Sequence, residues 1–171
     1  MLTAMTALAS GCAKAILVDT VAEKLKVGES LVPGKIHGVV AEPGNNEKLK
    51  QDIYDLTGGD GAEVIIECSG NPHAAAVAAE LACPGGAIVW VGCPVPFPMD
   101  IGHMQVRELR TESVFRYAHM YPKSIALLDS GSIDVKPIIT NHFTFEESAA
   151  AFDFMCDPPN NTVKSIIHVD Q

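Results

Sequence analysis

Five short apolar runs recur along this chain, separated by stretches of helical or turn character. That alternation constrains the fold more than any single residue does. The runs are Ala15–Val18, His37–Ala41, Glu63–Glu67, Ala87–Val91 and Ser113–Tyr117, and helices are expected near Val21–Leu31, Asn45–Leu56 and Pro72–Ala82. Strand and helix alternating at this spacing build right-handed crossovers around a parallel sheet. Gly58-Gly59-Asp60-Gly61 and Pro84-Gly85-Gly86 punctuate two helix-to-strand joints. The expected class is α/β, a doubly wound parallel sheet.

The start of the chain refines this. Leu2, Met5, Leu8 and Ala9 lie on one helical stripe, Gly11 is a natural helix stop, and the apolar strand that follows ends in Asp19. A helix, a strand and an acid in that order match the later part of the first βαβ unit of a dinucleotide-binding domain. In that unit the acid stands about 20 residues beyond a glycine fingerprint and accepts hydrogen bonds from the adenosine ribose. Counting back from Asp19 reaches Met1, so the expected sheet lacks its first strand and glycine loop. Asp19 has an alternative role as a solvated acid or cap for the helix from Val21.

Composition excludes several classes of function. The chain has 171 residues, 47% hydrophobic and 19% charged, enough for a core of strands buried on both faces. Its net charge is −9 and Lys and Arg do not cluster, so no nucleic-acid partner is expected. No apolar run reaches the roughly 20 residues that span a bilayer, and no signal peptide is read at the start. Cys12, Cys68, Cys83, Cys93 and Cys156 are odd in number and scattered, which suits free thiols in a reducing, cytoplasmic setting. The six histidines show no metal-ligand spacing.

Beyond the three-proline loop Pro94-Val95-Pro96-Phe97-Pro98, a helix is expected over Lys123–Ser130 and another over Thr144–Met155, opened by Phe145-Glu146-Glu147. A turn at 158–161 and a last strand over Val163–Val169 close the chain.

Several strings, taken together and in order, resemble the zinc-type medium-chain dehydrogenases, and within them the polyol branch. These are LTAMTALASGCAKAILVDTVAEKL, GGDGAEVIIECSGNP, PGGAIVWVGCP, SVFRY and VKPIITNHFTFEESAAAFDFM. The resemblance covers essentially the whole chain and corresponds to roughly the second half of such an enzyme. It implies a partial NAD-binding Rossmann domain over 1–130 and, over 131–171, a segment returning to a catalytic domain. The zinc ligands of such an enzyme would belong to the other half, so none is expected here. The implied activity, for the parent enzyme, is NAD-dependent oxidation of a polyol such as xylitol, sorbitol or L-arabinitol to a ketose. The implied assembly is a dimer or tetramer. Two other readings stay open: a catalytically inactive cofactor-domain fragment, or a threonine or alcohol dehydrogenase relative, against which Phe115-Arg116-Tyr117 argues.

Residue by residue, the resemblance implies cofactor contacts from Asp19, which favours NAD by repelling a 2′-phosphate, and from Lys24 over the ribose. It implies further contacts from Cys68-Ser69-Gly70, from Val91-Gly92-Cys93 beside the nicotinamide, and from Val114-Phe115-Arg116. Arg116 and Tyr117 would face the polyol, one offering fixed donors and the other a phenol that donates and accepts. The plain structural roles are an exposed helix lysine for Lys24, a tight turn for 68–70, packing for Cys93 and an edge strand for 114–117.

Overall fold

A computed structural model describes every residue except Cys93, Pro94, Asp170 and Gln171. The described residues fall into two compact units, Met1–Val40 with Pro122–Gln171, and Ala41–Tyr121. Among the described residues all strand pairings are parallel, and they lie in three sheets.

The first unit opens with α1 (Leu2–Ala9), β1 (Ala15–Asp19), α2 (Ala22–Leu31) and β2 (Ile36–Val40). β1 and β2 pair in register, with Ala15 opposite Ile36 and Asp19 opposite Val40. The Glu29 carboxylate accepts from the Gly38 amide of β2 at 2.8 Å, which covers part of that strand's edge. After α6 (Tyr121–Asp129) and a 3₁₀ turn at Lys136–Ile138, β6 (Ile139–Thr144), α7 (Ser148–Cys156) and β7 (Lys164–His168) complete the unit. Its core gathers Met5, Ile133 and Ile138, with Met1, Leu31, Leu127, Val135 and Val163 packed against them.

The second unit holds α3 (Asn46–Leu56), β3 (Ala62–Glu67), α4 (Pro72–Leu81), β4 (Ala82–Trp90), α5 (Ile101–Val106) and β5 (Arg110–Ser113). Side-chain caps start its helices: Asn45 accepts from the Lys48 amide, Asn71 from His73 and Ala74, and Asp100 from His103. Pro72 at the first turn of α4 suits a position whose amide has no helical partner. β4 is the middle strand, and Ile88 at its centre is fully buried. Leu49 and Ile53 of α3 and Ala75, Val77, Ala78 and Leu81 of α4 are buried with it.

Several expectations are corrected. The run Ser113–Tyr117 is not a strand: β5 ends at Ser113, and Val114–Tyr117 follow it as irregular chain and turn. An edge strand exposed at all four residues carries no apolar signal, so the apolar residues just after it drew the assignment. Pro84-Gly85-Gly86 is an irregularity inside β4, since Ala62 pairs with Ala82 while Val64 pairs with Ala87. The α7 ladder starts at Ser148, because Thr144 is still in β6 and Phe145–Glu147 form a turn. Helix α5 was not foreseen. Nor are all strands buried on both faces, since Val64 on the edge strand β3 is 52% exposed.

Candidate functional site

In parallel α/β sheets, ligands bind beyond the carboxyl ends of the strands. In the second unit those ends align: Glu67 of β3 is opposite Trp90 of β4, which is opposite Ser113 of β5. The segments leaving this edge are therefore Cys68-Ser69-Gly70, Val91-Gly92 and Val114-Phe115-Arg116. Main-chain hydrogen bonds continue past the ladder, from the Val91 and Gly92 amides to the Glu67 carbonyl (2.9 and 2.8 Å) and from the Val114 amide to the Trp90 carbonyl (2.9 Å). Eight of the residues that the sequence nominated thus share one sheet edge. Cys93 lies outside the described residues.

Glycine at 92 is required by space. A Cβ there would stand 2.4 Å from the Gly70 nitrogen and 2.5 Å from a Glu67 carboxylate oxygen. Gly70 itself takes φ +66°, open to glycine without strain. The two small residues let the first two loops close on each other. Ser69 is exposed, but its hydroxyl donates to Glu67 and accepts from the Asn71 amide at 3.0 Å. Its side chain is thus turned to the protein, and the backbone is what it offers a ligand.

Past Val114 the chain presents large exposed groups: Phe115 is 75% exposed and Tyr117 54%. The Arg116 guanidinium lies over the Phe115 ring, 5.3 Å from its centroid, and Tyr117 meets Tyr121 edge to face at 5.1 Å. Arg116 holds φ +58°, an uncommon backbone state for a side chain of this size. A guanidinium and a phenol lie one residue apart, both open to solvent, and among the described residues neither has an ion-pair partner.

Asp19 and Lys24 belong to the first unit. Asp19 is the last residue of β1, and its Oδ1 accepts from the Val21 amide at 2.9 Å. This closes a turn ahead of α2 and does not cap that helix, whose N-cap is Val21 with no side-chain cap bond. It uses one carboxylate oxygen, and Oδ2 is uncommitted among the described residues. Lys24, in the first turn of α2, makes no ion pair with Asp19 among those residues.

The residue that sequence reasoning missed is Glu67, read only as a strand end. It is 6% exposed and accepts from the loop that follows it. The available signal was a carboxylate two residues before a Ser-Gly turn. A separate cavity of about 170 Å³, lined by residues including Lys50, Glu80, Trp90 and His103, contains none of the nominated cofactor residues. It is a crevice among side chains, and the strand-end edge is the better site on positional grounds.

Among the described residues no three His, Cys, Asp or Glu side chains could together hold a metal ion. No helix among them is long and apolar enough to cross a membrane.

The profile of the zinc-binding dehydrogenase family matches residues 1–130. The chain belongs to that family. The protein named "Putative D-xylulose reductase" from Rhizobium meliloti (strain 1021) is 44% identical over 154 residues, 90% of this chain and 43% of that protein. The D-xylulose reductase of Morganella morganii is 37% identical over 154 residues, 90% of this chain and 44% of that protein. The chain spans about half the length of the curated relatives it matches. Among solved structures, ECK1772, an oxidoreductase/dehydrogenase of unknown specificity from Escherichia coli, superposes with a TM-score of 0.84 at 24% identity. That overlap covers 99% of this chain and 48% of that one. The α/β fold of that structure is thus shared.

Proposed function

We propose that this chain forms the cofactor side of an NAD-dependent polyol dehydrogenase. Residues 1–130 would be the partial nucleotide-binding domain and 131–171 the segment that returns to a catalytic domain. The observation that carries the reading is the shared strand-end edge, which three loops leave and where two of them close at Gly70 and Gly92. D-xylulose reductase relatives at 37–44% identity support the oxidoreductase class and a polyol–ketose pair. Xylitol, sorbitol and L-arabinitol all fit a substrate of that class.

The roles follow from the chemistry of each group. The main chain of 68–70, 91–92 and 114–116 holds the cofactor through amides and carbonyls. The uncommitted oxygen of Asp19 accepts from the adenosine ribose hydroxyls, and its charge disfavours a 2′-phosphate. Lys24, Cys68 and Cys93 complete the proposed cofactor contacts. Arg116 donates to adjacent polyol hydroxyls, and Tyr117 donates or accepts beside it. A bound nicotinamide would supply the hydride acceptor for the carbinol carbon. Zinc has no ligand set among the described residues. A dimer or tetramer in the cytoplasm is the setting we propose.

Fluorescence titration with NADH and NADPH tests this. Saturable NADH binding with a clear preference over NADPH, lost in Asp19→Ala, is the expected result. NADPH binding as tight as NADH would contradict the role of Asp19.

A further inference from the structure

The carboxylate of Glu67 is the most connected side chain at the strand-end edge. Its Oε1 accepts from the Ser69 amide at 2.8 Å and the Gly70 amide at 3.2 Å, and also from the Ser69 hydroxyl. Its Oε2 accepts from the Gly70 amide at 3.1 Å. Its main-chain carbonyl accepts from the Val91 and Gly92 amides. Among the described residues no Lys, Arg or His pairs with it, so uncharged donors alone satisfy a nearly buried carboxyl group. Every one of those donors is an N–H or O–H. A carboxylate offers them an acceptor on each oxygen, whereas a glutamine would turn an NH₂ group toward one of them.

The consequences run outward in two directions. Ser69, held by Glu67, accepts from the Asn71 amide, and Asn71 caps α4 through the His73 and Ala74 amides. On the other side, Glu67 Oε2 fills the space that a side chain at position 92 would need. One carboxylate therefore fixes the Ser69-Gly70 turn, the entry to α4 and the seat of Gly92.

We propose that Glu67 is a positioning residue for the cofactor edge, holding the 68–70 turn against Val91-Gly92 so that their main-chain groups meet the nicotinamide nucleotide in a fixed arrangement. This rests on the NAD reading above, and its test separates the two.

Wild-type protein and the variants Glu67→Gln and Ser69→Ala are compared by amide hydrogen exchange without ligand and by NADH fluorescence titration. Glutamine keeps the volume of Glu67 and removes one acceptor, so a space-filling role would leave that variant like wild type. Exchange at Ser69 and Gly70 is expected to accelerate roughly tenfold or more in Glu67→Gln, the change that losing one charge-assisted hydrogen bond produces. Ile88 and Val89 in β4 are expected to keep wild-type protection, which shows that the fold is retained. NADH affinity is expected to fall by a similar factor in Glu67→Gln, and by less in Ser69→Ala. Unchanged exchange at Ser69 and Gly70 in Glu67→Gln would overturn the inference, as would acceleration spread evenly through β4. Absence of NADH binding by the wild-type protein would overturn the cofactor reading and the cofactor half of this inference. The exchange data would still decide whether Glu67 holds the turn.

Discussion

Replacing Gly92 with alanine puts one carbon into the place where the two loops close. That carbon would lie 2.4 Å from the Gly70 nitrogen, 2.5 Å from Glu67 Oε2 and 2.8 Å from the Gly70 Cα. Two of these neighbours are backbone atoms, so no side-chain rotation relieves the contact. The φ of Gly92 lies outside the left-handed region, which makes the whole penalty steric. Inserting a methyl group into a packed site costs about 1–3 kcal/mol when the surroundings must shift. At about 1.4 kcal/mol per decade, this is roughly 5- to 150-fold in the equilibrium that keeps the loops closed. The cost is expected locally, because the Ser69-Gly70 turn can open while the buried centre of β4 stays paired. Urea unfolding and native-state hydrogen exchange separate the two possibilities. Faster exchange at Gly70, faster exchange at the residue 92 amide and weaker NADH binding are predicted. Wild-type exchange at both positions would refute the claim that this close approach organises the edge.

Other perturbations are predicted to act elsewhere. Ile88→Ala removes the largest fully buried side chain and is expected to cost about 2–5 kcal/mol, read from the urea midpoint. Asn71→Ala removes the cap of α4 and is expected to cost about 1 kcal/mol in the same assay, with faster exchange at His73 and Ala74. In an enzyme containing the whole parent chain, Arg116→Ala is predicted to raise the KM for xylitol about tenfold or more while leaving NADH affinity within about twofold. The tenfold figure is the loss of one charged hydrogen bond to a substrate hydroxyl. A fall in NADH affinity of the same size would move Arg116 from substrate to cofactor.

Much of the fold was legible because its elements follow the periodicities that burial imposes. The helices α2, α3 and α4 stand within a residue or two of their expected bounds, since apolar spacing, Asn caps and Pro72 mark them. β5 was displaced because Arg110-Thr111-Glu112 gives no apolar signal, and its pairing to β4 is set by backbone hydrogen bonds. α5 has six residues and follows a proline-rich loop, so the Asp100 cap was its only mark. The division of the parallel pairs into three sheets depends on which strands meet in space, and no local pattern encodes that.

The candidate site was legible to the extent that it lies at strand ends. Strand ends can be found by pattern, and small residues after them mark close approach. Glu67 escaped because its role depends on Ser69, Gly70 and Gly92 folding around it. A carboxylate at the end of a strand is otherwise indistinguishable from a solvated one. Asp19 shows the complementary case: it closes a turn before α2 instead of capping the helix, with one oxygen used there and the other uncommitted among the described residues.

The most direct test of the central claim is amide chemical-shift mapping of the chain during titration with NADH. The account predicts saturable shifts concentrated at Ser69, Gly70, Gly92 and Val114 through Arg116, where three register-matched strands end. Binding that leaves these amides unmoved and perturbs another surface would contradict it.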